Sequence, residues 1–325
     1  MNLRTLFVGI VLLLQLSPIF AVPSTKEEQK ADKAIQSIYA HDHQKHRSMA
    51  QRLNEMSQLF LKKPYYLGAL GEGLKGEYDQ FPLYRVDAFD CLTFVETVLA
   101  LALANDLASF KSNMNAIRYQ NGRITFVDRN HFTDLDWNSN NQRLGILQDI
   151  TNTIQNEQHQ PVAKTAQALI NKPSWYQHFT NSRIRLVEPS LAEQNKRLIA
   201  LKKSGQKLRS QFASIQYIPL SVLFDRTGKP NQFLFNQIPD GAIIEIVRPN
   251  WDLTALIGTH LNVSHLGFGF WRHHVLMFRN ASSQKGIVTE EPLTEYLGQA
   301  RHSPTIKGIN IQKIKSHKKP KTHVS

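Results

Sequence analysis

Leu92 through Ala104 is apolar on nearly every side. A helix reading Leu92-Thr93-Phe94-Val95-Glu96-Thr97-Val98-Leu99-Ala100-Leu101-Ala102-Leu103-Ala104 has no wet face, so the chain must wrap other elements around it. The residue that opens this run is Cys91, the single cysteine among 325 residues. One cysteine makes no intramolecular disulfide, so a small disulfide-stapled fold is excluded. The thiol is either inert in the interior or kept for its reactivity.

The N-terminus carries Arg4, an apolar run from Leu6 through Leu14, and Ser17-Pro18-Ile19-Phe20-Ala21 leading into polar sequence. This pattern predicts a secretory signal over 1–21, cut after Ala21, and a mature protein that is periplasmic or secreted with no stable insertion in a membrane. No other stretch reaches the length needed to cross a bilayer, and no repeat of solenoid or propeller period is visible. With 39 Lys+Arg against 26 Asp+Glu the protein is strongly basic. An exported binding protein for anionic polymers is therefore one reading of the chain. Neither Lys196 to Arg209 nor the run from Lys313 to Lys321 interleaves aromatics with its cations, so no nucleic-acid partner is expected.

Helical spacing between residues 25 and 62 (Ala34, Ile35, Ile38; Met49, Leu53, Met56, Phe60) predicts an N-terminal helical extension packed on the core. Glycines and turn residues from Pro64 to Tyr84 predict a long structured loop. Ala116 to Val127 reads as a hairpin turning at Asn121-Gly122, and residues from about 145 to 210 as a polar helical insertion. Strands are expected over Gly241–Val247, Asn262–Phe270 and His274–Arg279, and a solvated basic tail over 313–325. The whole predicts one catalytic domain over 22–312.

Cys91 stands where unpaired N–H groups at a helix start would favour a thiolate and could hold an oxyanion. In Asn262-Val263-Ser264-His265-Leu266-Gly267-Phe268-Gly269-Phe270, strand alternation puts Leu266, Phe268 and Phe270 on one face. His265, Gly267 and Gly269 share the other, where small neighbours leave the imidazole accessible. A hairpin turning at Arg272-His273 sets position 265 opposite 280, so Asn280 would face His265, Phe278 would face Gly267 and Leu276 would face Gly269. An amide beside an imidazole fixes its tautomer, as the third member of a Cys-His-polar triad does. Cys91, His265 and Asn280 are the candidate catalytic residues.

Pro64-Tyr65-Tyr66-Leu67-Gly68, Phe89-Asp90-Cys91, Ser264-His265-Leu266-Gly267 and Phe278-Arg279-Asn280-Ala281-Ser282-Ser283 resemble the NlpC-type papain-like hydrolases of bacterial cell walls. Asp90-Cys91-Leu92-Thr93-Phe94-Val95-Glu96, with Arg129-Asn130-His131-Phe132-Thr133 and Asp136-Trp137, is similar more narrowly to the AmiA-like N-acetylmuramoyl-L-alanine amidase family. The likeness runs in order from about Pro64 to Leu297 and departs at position 280, where many relatives have His. It implies an α+β, papain-like fold with an antiparallel sheet against the nucleophile helix. It also implies a Cys nucleophile, a His base and hydrolysis of the MurNAc-L-Ala amide of peptidoglycan or muropeptides through an acyl-enzyme, with anhydro-muropeptides preferred by some members. A γ-D-glutamyl-diamino acid D,L-endopeptidase is the alternative within the wider superfamily.

Tyr65 matches the superfamily tyrosine near the nucleophile, Asp90 is suited to shaping the helix start, and Ser264 precedes the base. Arg129, His131 and Trp137 belong to a segment that mixes a cation, an imidazole, a hydroxyl and an indole, groups suited to carboxylates and sugar faces. These six are the candidate substrate-binding residues, with a packed structural corner as the other reading of 129–137. The 13 histidines, His41, His43, His46 and His273-His274 among them, match no ligand spacing, so no metal or other cofactor is expected. The pairs Asp134/Asp136 and Asp87/Asp90 could be imagined as glycosidase carboxylates but are commonplace at caps and loops.

Overall fold

The computed structural model describes residues 25–40 and 47–315. The signal segment, His41, His43, His46 and the last ten residues lie outside them. The helices in chain order are α1 (Thr25–Ala40), α2 (Met49–Gln58), α3 (Cys91–Leu103), α4 (Leu107–Arg118), α5 (Asn138–Arg143), α6 (Lys172–Gln177), α7 (Leu191–Gln206), α8 (Leu220–Leu223), α9 (Gln232–Phe235), α10 (Thr254–Ile257) and α11 (Leu293–Ala300). The strands are β1 (Leu147–Asp149), β2 (Lys164–Ile170), β3 (Gln211–Pro219), β4 (Ala242–Leu253), β5 (Thr259–Arg272), β6 (Val275–Ser282), β7 (Ile287–Pro292) and β8 (Gly308–Ile314). They form one sheet in the order β2-β3-β8-β4-β5-β6-β7, with β1 on β8 beside β3, and every pairing is antiparallel. The architecture is α+β.

α3 is the buried helix that its composition demands: ten consecutive residues from Thr93 to Ala102 are shielded from water. Its Phe94, Val98 and Leu101 pack with Leu266, Phe268 and Phe270 of β5 and with Ile35, Leu53 and Met56 of α1 and α2. Each such side chain contributes roughly 1.5–3 kcal/mol by leaving water. The opposite face of the sheet, with Ile244, Ile246, Ile309, Ile311 and Phe278, is covered by α8, α9 and α11 through Leu223, Phe235 and Leu297. Both faces of β4 are therefore covered, which explains why Ala242 to Val247 are all buried, Glu245 among them.

Three expectations are corrected. Asn121 and Gly122 do adopt positive φ angles (55° and 68°), but they close a single 3-10 turn after α4, and Tyr119↔Arg129 is an isolated bridge. Good turn chemistry needs apolar alternation on both flanks to make a hairpin, and here Ala116–Arg118 belongs to a helix. The segment 145–210 is not wholly helical, because it contributes β1 and β2 as well as α6 and α7. Lys313 lies in β8, paired with Gln148, so the ordered sheet runs past residue 312.

Candidate active site

Cys91 is the first residue of α3, and the turn before it is locked by Asp90. The Asp90 Oδ1 accepts from the Thr93 N–H (2.8 Å) while the Asp90 N–H donates to Thr93 Oγ1 (2.9 Å), a capping box. The second carboxylate oxygen, Oδ2, accepts from the Gly68 N–H (2.9 Å), fastening the glycine-rich loop to the helix start. A parallel bridge between Tyr65 and Phe89 completes the attachment. Tyr65 is brought close enough to Cys91 and Asp90 that burial and then these two groups hold its phenol above the ordinary tyrosine range. Asp90 shapes the helix start with both carboxylate oxygens engaged.

The thiol of Cys91 is approached by the backbone N–H groups of Leu92, Leu266 and Cys91 itself. Leu266 belongs to β5, and the β5–β6 ladder ends at Phe268↔Arg279, so its N–H meets the helix start where that ladder has stopped. The expectation of a lowered thiol pKa is overturned. Burial, reinforced by the Asp90 charge, pushes the thiol up to about 12 against the pull of the three N–H groups. Water exclusion outweighs the helix start here because the sulfur is desolvated before it is stabilised.

His265 precedes Leu266. Its Nε2 lies 2.9 Å from Asn280 Oδ1, its ring meets Phe278 edge-on at 5.9 Å, and it stacks on Tyr296 of α11 at 6.2 Å and 24°. An amide oxygen only accepts, so Nε2 carries the proton and Nδ1 is left as the basic atom. Burial draws the imidazole below its ordinary pKa, and Asn280 and the charge of Glu291 offset part of that. The resting pair is a neutral thiol and a neutral imidazole.

The predicted pairing of β5 and β6 is corrected by two residues. The turn falls at His273-His274, both with positive φ (46° and 69°), and sets Gly269 opposite Phe278 and Trp271 opposite Leu276. A shift of two preserves the face of every side chain, so Asn280 still reaches His265, now diagonally. Gly267 makes this possible: a Cβ there would stand 2.5 Å from the Arg279 carbonyl oxygen and 2.8 Å from the Asn280 Cβ. The small neighbours of His265 admit β6 rather than leave open access.

The segment 129–137 is a packed corner. The Arg129 guanidinium pairs with the buried Glu72 and, at 3.0 Å, with Asp79, which Arg185 also holds. His131 shares its Nε2 with the Phe126 carbonyl (2.7 Å) and its ring meets Trp175 at 4.8 Å. Trp137 ends a π-helical turn and has no exposed surface. All three have partners within the protein, and Arg129 and His131 keep part of their surface exposed. Ser264 is half-buried beside His265 and accepts a hydrogen bond from Arg248 Nε (3.0 Å).

Two residues of the neighbourhood escaped the sequence reading. Tyr296 sits on a short amphipathic helix far from any motif, and its position next to the base follows only from the way α11 packs on β6. Arg248 ends the apolar run of β4, and a cation in such a run was the one available signal.

A family model described as AmiA-like, N-acetylmuramoyl-L-alanine amidase-like, matches residues 55–306. The chain belongs to the AmiA-like family. The matched span takes in α3, the β5–β6 hairpin and Tyr296, so the AmiA-like region carries every residue of the site just described. A solved structure of LPG0564 from Legionella pneumophila str. Philadelphia 1, of family model DUF1460, is 51% identical, with 90% of this chain and 97% of that one covered and a TM-score of 0.87. Two structures of an N-acetylmuramoyl-L-alanine amidase from Bacteroides uniformis ATCC 8492 are 23% and 24% identical. They cover 82% of this chain and 99% of theirs, with TM-scores of 0.56 and 0.57. At that identity the likeness is one of fold. No functionally curated protein matches the AmiA-like chain.

Proposed function

We propose that this AmiA-like protein is a cysteine-dependent peptidoglycan amidase of the NlpC-type papain-like class, cutting the MurNAc-L-Ala amide, with anhydro-muropeptides as the preferred form of substrate. The observation that carries the reading is the approach of the Leu266 N–H to the Cys91 thiol, next to an imidazole whose Nε2 is held by Asn280.

In this reading Cys91 Sγ attacks the lactyl carbonyl while His265 Nδ1 takes the thiol proton. Both groups are neutral at rest, so proton transfer accompanies attack rather than preceding it. The negative charge that develops on the carbonyl oxygen is met by backbone N–H groups at the start of α3, which cost no reorganisation because the helix already aims them. The protonated imidazole gives its proton to the departing alanine nitrogen. A muramoyl thioester remains, water activated by His265 hydrolyses it, and the free stem peptide and sugar acid are the products. Asn280 holds the ring through Nε2 and supports the positive charge while it exists. No cofactor enters the scheme. The substrate lies in the cell wall, which agrees with residues 1–21 acting as an export signal and the mature protein working in the periplasm or outside the cell.

Mass spectrometry of anhydro- and reducing muropeptides incubated with the mature protein and with Cys91→Ala tests the proposal. Free stem peptide plus disaccharide, formed by the wild type alone, is the expected outcome. Release of a sugar still bearing L-Ala-D-Glu would replace the amidase by the D,L-endopeptidase. Intact substrates in every tube, with salt-sensitive binding by both proteins, would leave a basic binding protein.

A further inference from the structure

Three arginines are buried among the described residues, and two of them hold carboxylates: Arg118 pairs with Glu96 at 2.5 Å and Arg279 with Glu290 at 2.7 Å. Arg248 is the third. Its Nε donates to Ser264 Oγ, its Nη1 donates to Thr305 Oγ1, and its guanidinium lies over the Trp251 ring at 4.4 Å from the centroid. Both bonds go to neutral hydroxyls, and no carboxylate pairs with it among the described residues. A guanidinium out of water without a counter-ion is costly, and the cost is recovered when an anion arrives. Burial lowers its pKa and the nearby Tyr296 phenol alone offsets this.

The location matters as much as the vacancy. Ser264 is bonded to Arg248 and covalently adjacent to His265. Tyr296 stacks on His265 and is felt electrostatically by both Cys91 and Arg248. Trp251 and Thr305, the residues on which the guanidinium rests, line a cleft of about 450 Å³ together with Asn250, Tyr217, Lys164 and Lys307. The two lysines are exposed, and Asp252, the carboxylate in its wall, is already engaged by the Thr254 N–H (2.9 Å) and hydroxyl (2.6 Å). The cleft therefore offers cationic groups to a solute that lies against the residues holding the Arg248 guanidinium.

We propose that Arg248, backed by Lys164 and Lys307, is a subsite for a free carboxylate of the stem peptide, so that the enzyme discriminates acidic stems from amidated ones. This rests on the amidase reading for the identity of the bond cut, but not for the recognition itself. A planar guanidinium with Nε and Nη1 already oriented by two hydroxyls meets a carboxylate with little further loss of freedom. A neutral amide at the same place leaves the charge unpaired.

The test compares a muropeptide bearing free carboxylates with the same muropeptide amidated, for the wild type, Arg248→Met and Arg248→Lys. The wild type is expected to lose at least tenfold in kcat/KM on amidation, chiefly through KM. Arg248→Met is expected to cut both substrates at the lower rate, with Arg248→Lys between them. Lys164→Ala combined with Lys307→Ala, two exposed positions, should weaken the preference in a protein whose core is untouched. Equal loss by Arg248→Met on both substrates, or none on either, overturns the proposal. A binding arm stands apart from catalysis: titration of the L-Ala-D-Glu-diaminopimelate tripeptide into Cys91→Ala and into the same protein with Arg248→Met. At least tenfold weaker binding by the second protein supports the subsite even if the wild type proves not to cut the muramoyl amide, and unchanged affinity overturns it.

Discussion

His265 Nε2–H donates a hydrogen bond to Asn280 Oδ1 over 2.9 Å, diagonally across two strands whose side chains could approach only because Gly267 lacks a Cβ. The imidazole is thus oriented by its neighbour on β6. Asn280→Ala should leave the fold and KM nearly intact and lower kcat by on the order of 10²-fold, since the ring loses both tautomer and direction. Asn280→Asp should move the acid limb of the activity profile upward, because a carboxylate stabilises the imidazolium. Steady-state kinetics across pH reads both.

The thiol is pushed up to about 12 and the imidazole is drawn down, so little thiolate exists at neutral pH. Ultraviolet titration of the thiol is expected to show no thiolate step between about pH 5 and 10, a span in which an ordinary cysteine ionises at about 8.5. His265 must be neutral to accept a proton. A lowered pKa therefore extends activity to lower pH, with the acid limb of kcat/KM below about 6.5. A thiolate visible at pH 6 would contradict the neutral resting pair.

Gly267→Ala should be destabilising by about 1–3 kcal/mol, because the new methyl meets strand backbone rather than a movable side-chain end. Gly269→Ala is the control, since its nearest neighbours stand at 3.3 and 3.4 Å and are side-chain carbons. Denaturant melts should separate the two variants, and Gly267→Ala should lose activity beyond its loss of stability as Asn280 is displaced from the imidazole.

Asp90 both caps α3 and raises the Cys91 pKa through its charge. Asp90→Asn keeps an oxygen for the Thr93 N–H and removes the charge, so alkylation of Cys91 by iodoacetamide at pH 8 should quicken. Asp90→Ala removes the cap as well and should cost about 1 kcal/mol in the thermal midpoint measurement.

Glu245 is buried in β4 with Asn138 donating to its Oε2 (3.0 Å), and burial pushes its carboxyl up to about 8. The folded carboxyl stays protonated where the unfolded one, near 4.3, has ionised. Its contribution is complete below about pH 4.3 and is lost as pH rises toward 8, with a slope approaching 1.4 kcal/mol per pH unit, roughly. Glu245→Gln keeps the amide contact and removes the proton, so stability measured from pH 5 to 8 should be flatter in the variant than in the wild type. Parallel curves would show that the side chain does not titrate across that window.

What could be read from residues alone follows the range of the interactions involved. α3 and its cysteine were legible because an apolar run is a local signal. The meeting of His265 with Asn280 was legible despite a register error, since a shift by two leaves facing intact. β2 and β8 were not. Their buried apolar positions are Ala166, Ala168 and Ile170 in one, and Ile309, Ile311 and Ile314 in the other, where the buried Asn310 and Gln312 interrupt them. Small or polar residues carry weak strand signals, and their burial depends on partners far away in the chain. The corner at Arg129 to Trp137 carried two readings for a related reason: ionic and aromatic groups suited to a ligand serve equally to bind one segment to another.

β8 stands in the interior of the sheet, flanked by β4 on one edge and by β1 and β3 on the other, although it is the last strand in chain order. Until residues 308–314 have been synthesised and threaded into that slot, β4 lacks one neighbour and the hairpin bearing His265 rests on an unfinished support. The geometry around His265 and Cys91 is therefore tied, through β4, to residues that lie more than forty positions further along the chain than His265 itself.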